Sequence, residues 1–234
     1  MRRIEHLYED NHLLVVEKPV NLLTQGDNTG DDDLLSLLKQ SLKEKYQKPG
    51  KVYLGMVQRL DRPTGGVIAF AKTSKAAGRL AAQLRDRTFT RAYLAIVHGK
   101  LPLGQASLQH YLRKNRQNNT VTVVDKNSSG AKEAKLTYQV LDNSKNFSLV
   151  EVQLQTGRAH QIRVQLAAAG HPLFGDQRYG QSVNRPGQQL ALWSYCLTFT
   201  HPTLQTRLTF TSYPAAKHPW TLFAYESLVG QATS

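Results

Sequence analysis

Residues 147–157 read FSLVEVQLQTG, with Val150, Val152 and Leu154 two apart and Glu151 and Gln153 between them. Side chains alternate across a strand, so this run predicts a strand with one apolar and one polar face. RAYLAIVHGKLP at 91–102 is apolar almost throughout and ends at Gly99, as a strand covered on both faces does. HLLVVEKP at 12–19 is β-branched, closes at Pro19 and carries Lys18 at its exit; TVTVVDK from 120 and AKLTYQVLD from 134 read the same way. CLTFTHP and RLTFTSYP repeat one alternation around a short polar loop and predict a hairpin. Strands in this number must find partners, so the chain is committed to a sheet.

Helical spacing interrupts the strands. DDDLLSLLKQSLKEKYQKPG at 31–50 sets Leu34, Leu37, Leu38 and Leu42 on one face, with acids at its start, lysines at its end and Pro49-Gly50 as the stop. Asp31 to Asp33 lack the glycine and distal Glu of a calcium loop, so they read as capping residues. TSKAAGRLAAQLRDRTF at 73–89 places Ala77, Leu80, Ala81 and Leu84 together behind a Thr73 or Ser74 cap. GRAHQIRVQLAAAGHP at 157–172 reads as a third helix ended by Gly170 and Pro172. The expected class is α+β: a mainly antiparallel, mixed sheet with flanking helices. KNRQNN at 114–119 and DKNSSG at 125–130 read as exposed loops.

With 30 Lys and Arg against 17 Asp and Glu, the 234-residue chain carries a formal charge of +13. Such an excess repels itself unless a polyanion is the partner, which points to nucleic acid. No apolar run approaches the ~20 residues of a membrane-spanning helix, and no basic amphipathic helix or secretory signal stands out. A cytoplasmic location is expected. The lone Cys196 permits no internal disulfide and no cysteine-based zinc site, and reads as a core residue.

The motifs of nucleotide-binding, NTP-hydrolysing, serine-hydrolase and zinc-protease enzymes are missing, which leaves VQRLDRPTGGVIAFAK at 57–72 and TGRAHQIR at 156–163. Asp61 sits between Arg59 and Arg62, whose charge favours the anion. An ionised Asp can act as a nucleophile and not as a proton donor at neutral pH; an Asp in a Pro-Gly turn can also simply cap its own backbone. Arg158 and Arg163 carry planar forks suited to a carboxylate or phosphate. His160, read as sharing a helical face with Arg163, could hydrogen-bond or transfer protons. Tyr93 is either a core ring with its hydroxyl at the rim or a platform for a base.

These segments, in this order, resemble the RluA family of pseudouridine synthases. YEDNHLLVVEKP is similar to the start of its catalytic domain, VQRLDRPTGGVIAFAKT to its HRLDxxTSG signature and RAYLAIVHG to its KxYLAxVxG strand. LQTGRAHQIRVQLAAAGHPLFGDQRYG resembles TGRxHQIRxH followed by GHPxxGDxxYG, and LWSYCLTFTHP resembles LHAxxLxFxHP; the likeness runs from about residue 6 to 214. The resemblance implies an isomerase that detaches uracil from its ribose in folded RNA and rejoins it through carbon. No cofactor and no metal are implied. Asp61 would attack the sugar C1′ or take part in forming a glycal, Tyr93 would stack on the base and take up the C5 proton, and Arg163 would pair with Asp61. Substrate contacts are implied for Arg59, Leu60, Arg62, Thr64, Arg158, His160, Gln161 and Leu192, with Arg59 filling the gap left by the extracted nucleotide and Leu192 lining the base pocket.

Base extraction costs a few kcal/mol, which backbone binding by a strongly positive protein offsets. A hydrolytic glycosidase would want a second carboxylate beside Asp61, and the motif has none. Four positions depart from the family pattern: Gln58 for His, Gly66 for Ser, Gln165 for the second His of TGRxHQIRxH, and Trp193-Ser194 for His-Ala. The expectation is one catalytic domain over 1–234 without an N-terminal S4 domain, monomeric, acting on structured RNA, ribosomal or transfer. An idle RNA-binding scaffold and a DNA-binding protein are the competing readings.

Overall fold

The computed structural model describes residues 4–229 apart from 28 and 116. In chain order the elements are β1 (Glu5–Glu9), β2 (Leu13–Lys18), α1 (Leu34–Lys45), β3 (Gly55–Met56), β4 (Gly65–Ala71), α2 (Ser74–Arg85) and β5 (Thr90–His98). They continue with β6 (Gly104–Asn115), β7 (Thr120–Val124), β8 (Lys132–Ser144), β9 (Phe147–Leu154), α3 (Gln161–Ala168), β10 (Leu192–Thr200), β11 (Arg207–Thr211) and α4 (Tyr225–Val229). The fold is α+β with a mixed sheet, in which the β1–β2, β2–β4, β3–β4, β5–β9, β6–β7, β6–β8, β8–β9 and β10–β11 ladders run antiparallel. Contacts divide the chain into two compact units, Met1–Arg91 with Ser194–Tyr213 and Ala92–Trp193 with Pro214–Ser234.

In the first unit the strand order is β1-β2-β4-β10, with β11 on β10 and β3 on β4. The expected hairpin is β10 and β11, paired from Cys196↔Thr211 to Thr200↔Arg207. Every residue of β4 is buried, and α2 packs on it. Leu13, Val15, Val67, Ala69, Leu80, Phe89, Leu197 and Phe199 form the core between them. Both helices here are capped as expected: Asp33 Oδ1 accepts from Ser36 N at 3.0 Å and Thr73 Oγ1 from Ala76 N at 3.1 Å. Cys196 is half-buried rather than a core residue.

The reading of Gly66 as a replaced serine is corrected by the backbone. Its φ is +112°, and a Cβ there would lie 2.2 Å from the carbonyl oxygen of Ser194. Only glycine fits such an approach. Counted from Asp61, the serine of the HRLDxxTSG pattern falls on Gly65.

The second unit orders its strands β5-β9-β8-β6-β7. β6 was not expected, because GQASLQHYLRKN leaves most of its residues in solvent and so shows no apolar alternation. β9 forms as expected, but Glu151 is buried too, at 5% exposure. α3 packs on β6 and β7, where Leu112, Val121, Ala134 and Val164 make a small apolar cluster. It is shorter than expected, starting at Gln161 because His160 adopts the left-handed φ of 51°. Among the described residues no helix is long and apolar enough to cross a membrane.

Glu9 ties three parts of the first unit together. Lys45 Nζ donates to its Oε2 at 2.7 Å, and Lys72 Nζ and the Tyr46 hydroxyl donate to its Oε1 at 2.8 and 2.7 Å. Burial opposes ionisation, but these three bonds overcome it and bring the Glu9 pKa from 4.5 to about 2. A carboxylate with a depressed folded pKa stabilises the fold fully above its unfolded value and loses that contribution as pH falls to the folded one. Urea titrations should therefore show stability declining between pH 4.5 and about 2, with Glu9→Gln less stable at pH 7 and less steep over that interval. Gly66→Ser should lower stability at any pH by roughly 2–4 kcal/mol, read from the denaturant midpoint.

Candidate active site

In the first unit the site is a turn, closed by Thr64 N donating to Asp61 O at 3.0 Å. The backbone of Leu60 and Arg62, the residues on either side of Asp61, is held from a second segment, residues 18–24. Thr24 Oγ1 donates to Leu60 O at 2.7 Å and accepts from Leu60 N at 3.2 Å. Lys18, fully buried, donates from Nζ to the carbonyls of Pro19, Leu22 and Arg62 at 3.0, 2.6 and 3.2 Å. An ammonium taken out of water is costly unless such acceptors surround it. The turn that places Asp61 therefore satisfies a buried charge, and the charge holds the turn.

The arginines beside Asp61 do different things. Arg62 pairs with Asp31, Nη1 to Oδ2 at 2.7 Å, both side chains about half exposed. Arg59 is exposed. Leu60 and Thr64 are buried, and Thr64 Oγ1 and both amide atoms of Gln58 are buried without a hydrogen-bond partner among the described residues.

In the second unit Tyr93 lies on β5 opposite Val152 and is 5% exposed. Arg163, on α3, meets Asp176 in a two-pronged pair: Nε to Oδ2 and Nη2 to Oδ1, each 2.8 Å. Asp176 Oδ1 also accepts from Arg178 N at 2.9 Å and Tyr179 N at 3.0 Å. Burial pushes the Asp176 carboxyl up, but Arg163 and these two N–H groups outweigh it and hold it below the usual carboxylate range. The guanidinium lies 5.2 Å from the centre of the Tyr179 ring, a cation–π distance. Fork, carboxylate and ring leave Arg163 little freedom to rotate.

His160 does not share a helical face with Arg163, since it precedes the helix; its Nδ1 shares a 2.6 Å hydrogen bond with the Tyr179 hydroxyl, which also accepts from Val121 N. Gln161 is buried and its amide closes the local turn: Oε1 accepts from Thr156 Oγ1 and Arg158 N, and Nε2 donates to Lys135 O. Arg158 is exposed and donates from Nε to Glu133 O. Leu192, at the start of β10, is buried. Gln165 is fully buried, and its Nε2 lies at 3.1–3.2 Å from Leu108 O, Ala134 O and His110 Nδ1. Among the described residues no group of three or more His, Cys, Asp or Glu side chains could hold a metal ion.

Sequence reasoning did not single out Lys18, Thr24, Asp176 or Tyr179. Asp176 and Tyr179 stand in the GDQRYG stretch already quoted for its likeness. Lys18 carried one signal: a lysine at the end of an apolar strand directly before proline.

Solved structures show what kind of fold this is. The chain resembles human RNA pseudouridylate synthase domain containing 4, with a TM-score of 0.73 at 22% identity over 90% of this chain and 89% of that one. Human RNA pseudouridylate synthase domain containing 1 gives 0.68 at 25% identity. Sequence makes the assignment firmer. The profile described as RNA pseudouridylate synthase matches residues 12–168. The ribosomal large subunit pseudouridine synthase D of Nitrosomonas europaea is 36% identical over 215 residues, 84% of this chain and 58% of the relative. The uncharacterized RNA pseudouridine synthase YhcT of Bacillus subtilis is 38% identical over 202 residues, 85% of this chain and 65% of the relative. The chain belongs to the RNA pseudouridylate synthase family, and the resemblance to its RluA branch stands. It spans about three fifths of the length of these two relatives.

Asp176→Asn keeps the size of the side chain but takes the charge from the fork of Arg163. Breaking one half of a buried pair is expected to cost about 3–5 kcal/mol in urea unfolding. Because the Asp176 carboxyl is held low, its contribution is complete above the ordinary carboxylate range and fades below it, so the gap between variant and wild type should narrow in acid.

Proposed function

We propose that this chain converts uridine to pseudouridine in structured RNA, with Asp61 as the group that acts on the ribose. The observation that carries the proposal is the clamping of the backbone of Leu60 and Arg62, the residues on either side of Asp61, by Thr24 and Lys18, in a chain of the pseudouridylate synthase family. A nucleophile aimed at one carbon gains most from a backbone that cannot swing. The family resemblance gives the reaction to Asp61, Tyr93 and Arg163. Asp61 attacks C1′ or assists glycal formation, Tyr93 stacks on the base and takes up the C5 proton, and Arg163 pairs with Asp61. Arg163 brings to this task a fork whose Nε and Nη2 are engaged by Asp176.

Arg59 and Arg62 accompany Asp61 toward the RNA, Arg59 entering the space that the extracted nucleotide leaves. Leu60, Thr64, Arg158, His160, Gln161 and Leu192 complete the substrate side, with no cofactor and no metal. The positive charge supports RNA as the partner, since each phosphate neutralised releases counterions. The name of the Nitrosomonas relative makes large-subunit ribosomal RNA the first substrate to test and transfer RNA the second. We place the protein in the cytoplasm as a single-domain monomer. An idle RNA-binding scaffold is not favoured: Gln58, Gln165 and Trp193 depart from the pattern while Asp61, Tyr93 and Arg163 remain.

Asp61→Asn removes the charge and keeps the shape, so product formation should fall by at least ~10⁴-fold while RNA affinity stays within about twofold. Product is read by pseudouridine mapping of RNA incubated with each protein. Undiminished product from the variant sinks the assignment of Asp61; no product from wild type on ribosomal or transfer RNA sinks the isomerase.

A further inference from the structure

α1 begins beside the Asp61 turn and ends well away from it. At its start, Leu34 N donates to Leu23 O at 2.8 Å and Leu35 N to Thr24 O at 3.2 Å, and Thr24 is the residue that grips Leu60. Twelve residues of helix then carry the chain roughly 18 Å, at ~1.5 Å each. At the far end Lys43, Lys48 and Lys51 are exposed and make no ion pair among the described residues. The nearby carboxylates are already engaged, Glu9 by Lys45, Lys72 and Tyr46, and Glu44 by Gln40.

Two aromatic rings stand in the same stretch, Tyr46 at 45% exposure and Tyr53 at 49%. Three ammonium groups surround the Tyr46 ring, those of Lys45, Lys48 and Lys72 at 5.3, 5.8 and 4.9 Å from its centre. A shallow hollow of about 470 Å³ opens between Gln40, Lys43, Glu44, Gln47 and Lys48. Unpaired like charges gathered at one place raise the free energy of the isolated protein, and an anionic partner removes that cost. A membrane is a poor candidate for that partner. α1 turns Leu34, Leu38 and Leu42 into the core, so no apolar stripe remains to enter a bilayer.

We propose that the end of α1 and the loop through Tyr53 form a second RNA contact, which holds the flank of the RNA whose target nucleotide lies at the Asp61 turn. Lys43, Lys48 and Lys51 take phosphates, and the Tyr53 ring takes an unpaired base. The separation of roughly 18 Å corresponds to about five nucleotide steps of ~3.4 Å. This contact rests on the RNA-directed reading above and extends it from one nucleotide to the neighbouring strand.

The test uses the full chain with Lys43→Gln, Lys48→Gln and Lys51→Gln combined, and separately Tyr53→Ala, each checked for an unchanged melting temperature. The probes are transcribed large-subunit ribosomal RNA, titrated from 50 to 200 mM salt, and vesicles containing phosphatidylserine. The triple variant should bind the RNA about tenfold or more weakly at 0.1 M salt, with a log–log salt slope shallower by two to three, at ~0.9 per phosphate. Tyr53→Ala should bind about fivefold or more weakly with its slope unchanged. Turnover at saturating RNA should stay at the wild-type level in both. Wild-type affinity and slope in the triple variant overturn the proposal, as does a loss of vesicle binding with RNA binding intact. Because binding is titrated without reference to product, a wild-type protein that makes no pseudouridine counts against the isomerase and leaves this contact to be judged on its own readout.

Discussion

A lysine ammonium with no exposure to water is the constraint around which the first unit is arranged. Lys18 ends β2, and the fold must bring it carbonyl oxygens; those of Pro19, Leu22 and Arg62 serve. The last of them belongs to the residue directly after Asp61. Thr24 completes the hold by bonding both peptide groups of Leu60, directly before it. The placing of Asp61 and the cost of burying a charge are thus met by one arrangement of backbone.

The second unit solves a related problem with different means. Arg163 is buried, and its charge is met by a buried carboxylate, itself held by two backbone N–H groups, and by an aromatic face. Pairs of this kind add little net stability, because both ions lose their hydration. What they supply is orientation, since a fork fixed at two nitrogens presents the rest of the guanidinium in one direction.

Departures from the family pattern fall beside these anchors and not on them. Gln58 sits in the Asp61 turn with both amide atoms buried and satisfied by no described residue, as is the hydroxyl of Thr64, which keeps the pattern. Gln165 fills the interior under α3, and its amide reaches two carbonyls and a histidine ring. Gly66 is no departure at all, because the backbone of Ser194 leaves no room for a side chain there.

Alternation revealed β7, β8, β9 and the β10–β11 hairpin, because a buried face leaves an apolar residue at every second place, and unbroken apolar runs revealed β2 and β5, which are covered on both faces. The caps at Asp33 and Thr73 were legible for the same local reason. The motif order carried the family and named Asp61, Tyr93 and Arg163. β6 was hidden because its residues face solvent, so its pairing with β7 and β8 had no hydrophobic signature. The left-handed turn at His160, the burial of Lys18 against the carbonyl of Arg62 and the choice of Asp176 for Arg163 could not be read along the chain. Each depends on groups between 13 and 44 residues apart, or on a backbone angle set by a distant partner, and such meetings leave no period in a sequence.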